Sequence, residues 1–392
     1  MKNFKLPGWA NALKDPKAHE REQQTLGHVW TLLAITHDMP NDGDWVRTTL
    51  GGRSVFVQRF GDEFRAFENV CVHRFFPLRT ADKGNGVIRC GFHHWQYNKD
   101  GVAVGIPKCK ELFGVTPREL GARLKRIDVD ICGMLIFGRI PSSEATESLK
   151  EYLRDGYDIL NAVCDAKVRP HAQRTLVKAN WKLNFHVTLD DYHIVAVHRD
   201  TFGKQGYLDN EVVRYYRFGW HSAYFYATGD NALAEMAEQC RNGTYETDGY
   251  RIFQFFPNLL VVHLEAAFNT YVLVQNYTPI AHDKNLLRTW IFPCPLPHRK
   301  INRFDTIRGA LARPFLPYIV PVYAKKITGE DNDVCEQLQT VAGQIERWPM
   351  LGAQEERITW FEETYNKALG APPLAVEVEY PVAVPTVVNQ TP

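Results

Sequence analysis

Apolar and polar positions follow two regimes along the chain, and the change falls near residue 140. From Trp30 to Ile140 the apolar runs are short, at 29–35, 54–59, 101–106 and 134–137. Turn signals punctuate them, the clearest being Asn41-Asp42-Gly43, Gly51-Gly52 and Lys99-Asp100-Gly101. Short strand-like runs between Gly, Asn and Asp clusters predict an all-β module of about 110 residues. Beyond it, 142–163 reads as a helix with Ser143-Glu144 near its start, and 180–198 as the next. Aromatic and β-branched stretches at 212–227, 250–263, 270–278 and 286–292 then predict an antiparallel sheet. Residues 303–313 are helical until Pro314, Pro317 and Pro321 interrupt them. The segments 331–347 and 353–368 are the last predicted helices.

The expected fold is therefore α+β, an all-β module followed by a domain with helices beside one sheet. The expected division is a helical arm at 1–27 packing with the second domain, a β domain at 28–145, an α+β domain at 146–370 and an extended tail at 371–392. No repeat of 20–50 residues suggests a solenoid or propeller.

Composition narrows the function classes. Lys and Arg number 46 against 45 acidic residues, a net +1, which gives no electrostatic case for nucleic acid or an anionic membrane. No apolar run reaches the ~20 residues that span a bilayer. The N-terminal residues lack an apolar signal region, so a cytoplasmic location is expected. The eight cysteines are sparse over a long chain, which favours reduced thiols with a few metal ligands over disulfides.

Four residues carry the most specific pattern: Cys71-Val72-His73, then Cys90-Gly91-Phe92-His93 after a gap of sixteen residues. Thiolates with imidazoles suit zinc or an iron–sulfur cluster. A zinc finger groups its two Cys and then its two His. Here each Cys is grouped with a His, so each loop can give one ligand to each iron of a Rieske [2Fe–2S] cluster. His94, beside His93, is expected to be a surface residue or to stand behind the ligands.

The second pattern is Asn180-Trp181-Lys182, followed by Asp190-Asp191-Tyr192-His193 and His198. On a helix, Asp190 reaches His193 at i+3. His198 lies five residues after His193, about 140° off that face, so a break between the two is required for both rings to meet one ion. Two His with one carboxylate form the facial triad of non-haem Fe(II) oxygenases.

Together the two patterns resemble the α (catalytic) subunit of the Rieske non-haem iron aromatic-ring-hydroxylating oxygenases. The likeness is sharp at these motifs and runs from about residue 28 to 368. It implies a helix-grip, START-like catalytic domain, with His193 and His198 as ligands of a mononuclear Fe(II). It also implies a third ligand from the acidic stretch opening the 331–347 helix. Spacing to Glu336 selects Asp331 over Glu330 and Asp333. Asp190 matches a carboxylate linking His193 to a cluster imidazole, here His93, of a neighbouring subunit; Asp191 is expected to be an exposed acid.

The family usually has Gly where this chain has Phe75, and often where it has His94, and Glu-Asn where it has His186-Val187. His186 is a candidate substrate contact or a packed core residue. The resemblance implies a terminal oxygenase that uses O2 and electrons from a reductase, with or without a ferredoxin, to hydroxylate a small, aromatic substrate. A homotrimer, with or without a β subunit, is implied too. No Gly-x-Gly-x-x-Gly fingerprint follows a strand, so the reductant must be a separate protein. Ring dihydroxylation, monohydroxylation and O- or N-demethylation share this iron chemistry. A Rieske electron carrier and a zinc-stabilised binding protein are the rivals from other classes.

Overall fold

The computed structural model describes residues 8–143, 146–201, 213–226, 229–299, 302–345 and 349–370. The chain enters through α1 (Gly8–Lys14) and α2 (Pro16–Leu26). Asp15 caps α2 by accepting from the Lys17 N–H, and Pro16 takes the first helical position, where no donor is missed. From α2, Glu22 is inserted into the second domain. It accepts from Trp181 Nε1 at 2.7 Å and meets Lys182 Nζ and the Tyr365 hydroxyl, all four side chains being buried. Burial alone would raise the Glu22 carboxyl; the Lys182 ammonium and its hydrogen-bond partners outweigh this and bring it down to about 2.

The β module follows as β1 (Thr31–Ile35), β2 (Asp44–Leu50), β3 (Arg53–Phe60), β4 (Glu63–Glu68), β5 (Lys83–Asn85), β6 (Ile88–Arg89), β7 (Gln96–Tyr97), β8 (Ala103–Gly105), β9 (Arg126–Cys132) and β10 (Leu135–Arg139). Two short helices, α3 (Cys109–Phe113) and α4 (Pro117–Leu120), precede β9. A seven-stranded sheet has the order β1-β10-β9-β4-β3-β2-β5, and β6-β7-β8 form a small separate sheet. The Gly51-Gly52 turn joins β2 to β3 with φ of 59° and 72°, the two left-handed residues that a tight hairpin needs.

The second domain comprises α5 (Leu149–Leu153), α6 (Asp155–Val163), β11 (His171–Val177), α7 (Trp181–His186), α8 (Ile194–Val197), β12 (Val213–Phe218), β13 (His221–Tyr226), α9 (Ala232–Asn242), β14 (Arg251–Phe255), β15 (Leu259–Ala266), β16 (Asn269–Ala281), β17 (Lys284–Pro293), α10 (Arg303–Ala312), α11 (Leu316–Thr340) and α12 (Glu356–Ala368). Its seven strands form one antiparallel sheet in the order β11-β17-β16-β15-β14-β13-β12. In β15, Leu259 and Val261 join the core under α6 and α9, while Leu260 and Val262 join the core under α7, α11 and α12. The α+β reading holds, with an antiparallel sheet flanked by helices.

Several element expectations are corrected. The 142–163 helix begins only at Leu149, because Ser148 and Glu151 form a capping box; it breaks at Arg154, whose φ is 53°. The 212–227 and 250–263 runs are each a hairpin of two strands, not one. The strand β11 and the helix α9 were not expected. The 331–347 helix is instead the C-terminal part of the 25-residue α11, which ends at Thr340. Pro317 and Pro321 do not interrupt that helix. Pro317 sits in its first turn, where donors are unpaired anyway, and Pro321 forfeits one bond near that end. Residues 371–392, the expected tail, lie outside the described residues.

Two candidate metal centres

The Cys-His loops share one backbone design. In the loop after β4, the Cys71 N–H donates to Phe76 O at 2.9 Å and the Phe75 N–H donates back to Cys71 O at 2.9 Å. Between β6 and β7, the Cys90 N–H donates to Trp95 O at 2.8 Å and the His94 N–H to Cys90 O at 3.0 Å. Each loop turns on its fourth residue past the Cys, and those residues, Phe75 and His94, have φ of 59° and 58°. These are the two positions where the resembled family prefers Gly, and the left-handed backbone is the physical reason. His94 and Phe75 are both exposed.

The two loops bring Cys71, His73, Cys90 and His93 together. Both cysteines are buried and unbridged. The imidazole centroids lie 4.6 Å apart, His73 stacks on Trp95 at 4.8 Å and 2°, and Phe92 covers His93 at 3.9 Å. The Tyr97 hydroxyl lies 3.1 Å from Cys71 Sγ. The Nδ1 atoms of His73 and His93 are buried with no hydrogen-bond partner. Burial pushes the Cys71 thiol up, and burial with the neighbouring His93 keeps His73 neutral-favouring. Two inward imidazole nitrogens without partners beside two buried thiols fit a cluster that takes both as ligands.

The second set forms where the 180–198 segment departs from a regular helix. α7 ends at His186, Asp190 is extended (φ −113°, ψ 126°), and the four-residue α8 starts after His193. The expected break therefore lies before His193, not between the two histidines, which flank the single turn of α8. Their Nε2 atoms are 3.2 Å apart. Asp331 Oδ1, from α11, is 3.6 Å from His193 Nε2 and 3.1 Å from His198 Nε2. Ligand atoms ~2.1 Å from one ion at right angles lie ~3.0 Å from each other, so this triangle fits one face of an ion. Asp331 Oδ1 is also buried without an aligned hydrogen bond.

Charge favours a cation there. Burial lowers His193, yet Asp190 and Asp331 outweigh it and lift the imidazole to about 9. Burial raises Asp331, and the two imidazoles together leave its carboxyl below the usual range. Asp331 stands fifteen residues into α11, so an acidic first turn complementing the helix dipole does not account for it.

Each imidazole has a carboxylate behind it. Asp190 Oδ2 is 3.2 Å from His193 Nδ1, while its Oδ1 accepts from the Tyr192 N–H at 2.7 Å. Glu330 Oε2 is 2.8 Å from His198 Nδ1 and accepts from the Thr201 hydroxyl at 2.8 Å. Sequence reasoning weighed Glu330 only as a rival ligand; its place one residue before Asp331 was the available signal. Asp333 is outside the group of converging ligand atoms. His186 is outside it too: its Nε2 meets the fully buried Glu362 at 2.8 Å, between α7 and α12. Asp191, expected to be exposed, is 2% exposed. Its partners are Arg357 Nη2 at 2.6 Å and the Tyr215 hydroxyl at 3.1 Å.

A family model described as the Rieske [2Fe-2S] domain matches residues 29–119. A second, described as the catalytic domain of the ring hydroxylating alpha subunit, matches residues 165–371, more than half the chain. The chain belongs to the ring-hydroxylating α-subunit family. This α subunit is similar to the terephthalate 1,2-dioxygenase terminal oxygenase component subunit alpha 2 of a Comamonas species, at 31% identity over 196 residues, 46% of each chain. It is similar to the naphthalene 1,2-dioxygenase large oxygenase component of Pseudomonas aeruginosa, at 33% over 199 residues, 47% of this chain and 42% of the other. The chain's matches span about half the length of these curated relatives. Its fold is like that of naphthalene 1,2-dioxygenase from a Rhodococcus species, with a TM-score of 0.67, 19% identity and 93% and 94% of the two chains covered. The quaternary ammonium Rieske monooxygenase CntA matches with a TM-score of 0.67 at 15% identity, over 93% and 94%. Among the described residues, no helix is long and apolar enough to cross a membrane.

Proposed function

We propose that this α subunit is the terminal component of an oxygenase that uses O2 and reductase-derived electrons to hydroxylate a small, aromatic substrate. The observation that carries this reading is the convergence of His193, His198 and Asp331 within 4.8 Å, in a chain that also holds a Rieske domain. Cys71, His73, Cys90 and His93 would hold the cluster, and the triad would hold a mononuclear iron on one face. When bound, the cluster would supply single electrons and the iron would supply the chemistry that activates dioxygen.

The chain's own groups do the positioning. Glu330 fixes the tautomer and direction of His198 through a 2.8 Å hydrogen bond, and the Asp190 carboxylate stands 3.2 Å behind His193 Nδ1, so that both Nε2 atoms face the same ion position. Asp190 is 17% exposed at its side chain, open enough for a second partner such as His93 of a neighbouring subunit. The homotrimer and the electron bridge are parts of the proposal, supported by that exposure and by the Asp190–His193 pair, with a β subunit as a further option. The domain division at 28–145 and 146–370, a reductase or ferredoxin partner and a cytoplasmic location that keeps thiolate ligands reduced belong to it as well.

Demethylation is the second reading. The relative that favours it is the N,N-dimethyl phenylurea N-demethylase subunit alpha of a Sphingobium species, 29% identical over 207 residues. A panel of aromatic, aromatic carboxylate and N-methyl substrates, scored for reductant-dependent O2 uptake with product identification, tests both. Hydroxylated ring product supports the first reading, and formaldehyde release the second. No coupled uptake with any reductant overturns the oxygenase assignment.

A further inference from the structure

The loop that carries Asp190 to His193 has little helical bonding of its own, because α7 has ended and α8 has not begun. What ties it down from outside is the single turn at 353–355 and the first residues of α12 that follow it. The Asp191 N–H donates to Gln354 O at 3.2 Å, and Asp191 Oδ2 accepts from Arg357 Nη2 at 2.6 Å. The Arg357 guanidinium is fully buried, its carbon 5.1 Å from the Tyr215 ring centre and 4.6 Å from that of Tyr224. Tyr215 closes the arrangement by donating its hydroxyl to Asp191 at 3.1 Å. The guanidinium has no freedom to follow the loop, since two rings and a buried carboxylate fix it. Its Nε and Nη1 have no hydrogen-bond partner among the described residues, so Asp191 is the anchor that matters to it.

Asp191 sits between Asp190, which supports the His193 ring, and Tyr192, which is 60% exposed. Fixing Asp191 therefore fixes the direction in which its neighbours point. We propose that Arg357 is a positioning residue for the mononuclear iron site, clamping Asp191 so that Asp190 and His193 are held in register with His198 and Asp331. The proposal rests on the metal-site reading above, and extends it to a residue on a different helix that touches no ligand atom.

The test uses full-length, cluster-loaded chain, anaerobic ferrous ion as the probe, and five proteins: wild type, Arg357→Met, Asp191→Asn, the double variant, and His193→Ala as the control for the site. Iron dissociation constant, thermal midpoint and cluster spectrum are read for each. Either single variant buries an uncompensated charge and lowers the thermal midpoint; the double variant removes both charges and recovers much of it. Iron affinity is expected to fall ~10–100-fold in both singles and to stay low in the double, the scale seen when groups supporting metal ligands are removed. The cluster spectrum is expected not to change. If affinity recovers in step with the midpoint in the double variant, Arg357 is a structural residue only and the proposal is overturned. Wild-type affinity in a folded Arg357→Met protein overturns it as well. A wild-type chain that takes up no ferrous ion sensitive to His193→Ala sinks the metal-site reading itself, and the proposal with it.

Discussion

Replacing Glu330 by Gln leaves an amide oxygen where a carboxylate faces His198 Nδ1 at 2.8 Å. The bond changes from charge-assisted to neutral, a loss of about 1–1.5 kcal/mol, which is about tenfold in metal affinity. Glu330→Ala also strands the imidazole N–H and the Thr201 hydroxyl, so its loss should reach roughly a hundredfold. Asp331→Asn removes the anionic ligand itself and should abolish saturable binding, because Oδ1 is the atom within 3.1 and 3.6 Å of the two Nε2 atoms. Anaerobic ferrous titration into cluster-loaded protein, with nitric oxide as an electron paramagnetic resonance reporter, separates the three variants. If Glu330→Gln loses the site while Asp331→Asn keeps it within tenfold, ligand and support have been assigned the wrong way round.

Other perturbations should give equally specific results. Asp190→Asn should weaken iron binding about tenfold, as Glu330→Gln does, and at saturating ferrous ion should hold both metals yet lose nearly all turnover; unchanged turnover would refute its role as electron bridge. Phe75→Gly relieves a left-handed backbone worth ~1–2 kcal/mol, less ~0.4–1 for the freer unfolded glycine, so a gain of about 0.5–1 kcal/mol in thermal unfolding is expected. Phe75 is 79% exposed and gives up little packing, so a lowered melting temperature would count against the strain argument. Lys182→Met strands the buried Glu22 carboxylate and should destabilise by about 3–5 kcal/mol in urea unfolding. The Glu22 carboxyl is depressed from 4.5 to about 2 on folding, so its stability is present above pH 4.5 and is lost as pH falls toward 2. A Glu22→Gln protein should therefore show a flatter acid-unfolding limb, and an unchanged limb would remove this pair from the account.

The chemistry was more legible in the sequence than the elements carrying it. Cys71, His73, Cys90 and His93 are adjacent pairs on tight loops, so their spacing encodes their geometry directly. His193 and His198 are close in sequence for the same reason. Asp331 needed the family resemblance, since 133 residues and six of the sheet's seven strands separate it from His198. Glu330 was weighed only as a rival ligand and Arg357 was missed, because their roles depend on which face of α11 or α12 meets the loop carrying Asp190 and His193. That is set by packing against Tyr215, Tyr224 and Thr201, which no local period announces. Asp191 reads as solvent-facing in a polar segment, and only its contact with Arg357 explains why it is buried. The strand β11 escaped notice because it is an edge strand with mostly exposed side chains and lacks apolar alternation. The prolines at 317 and 321 were overweighted: near a helix start they cost far less than in its middle.

Iron and acid-labile sulfide, counted per chain in anaerobically purified protein, address the two-centre account most directly. Three irons and two sulfides are expected, with one iron lost selectively in His193→Ala while the cluster absorbance persists. Two irons with no third site would describe an electron carrier, and zinc without sulfide would contradict both centres.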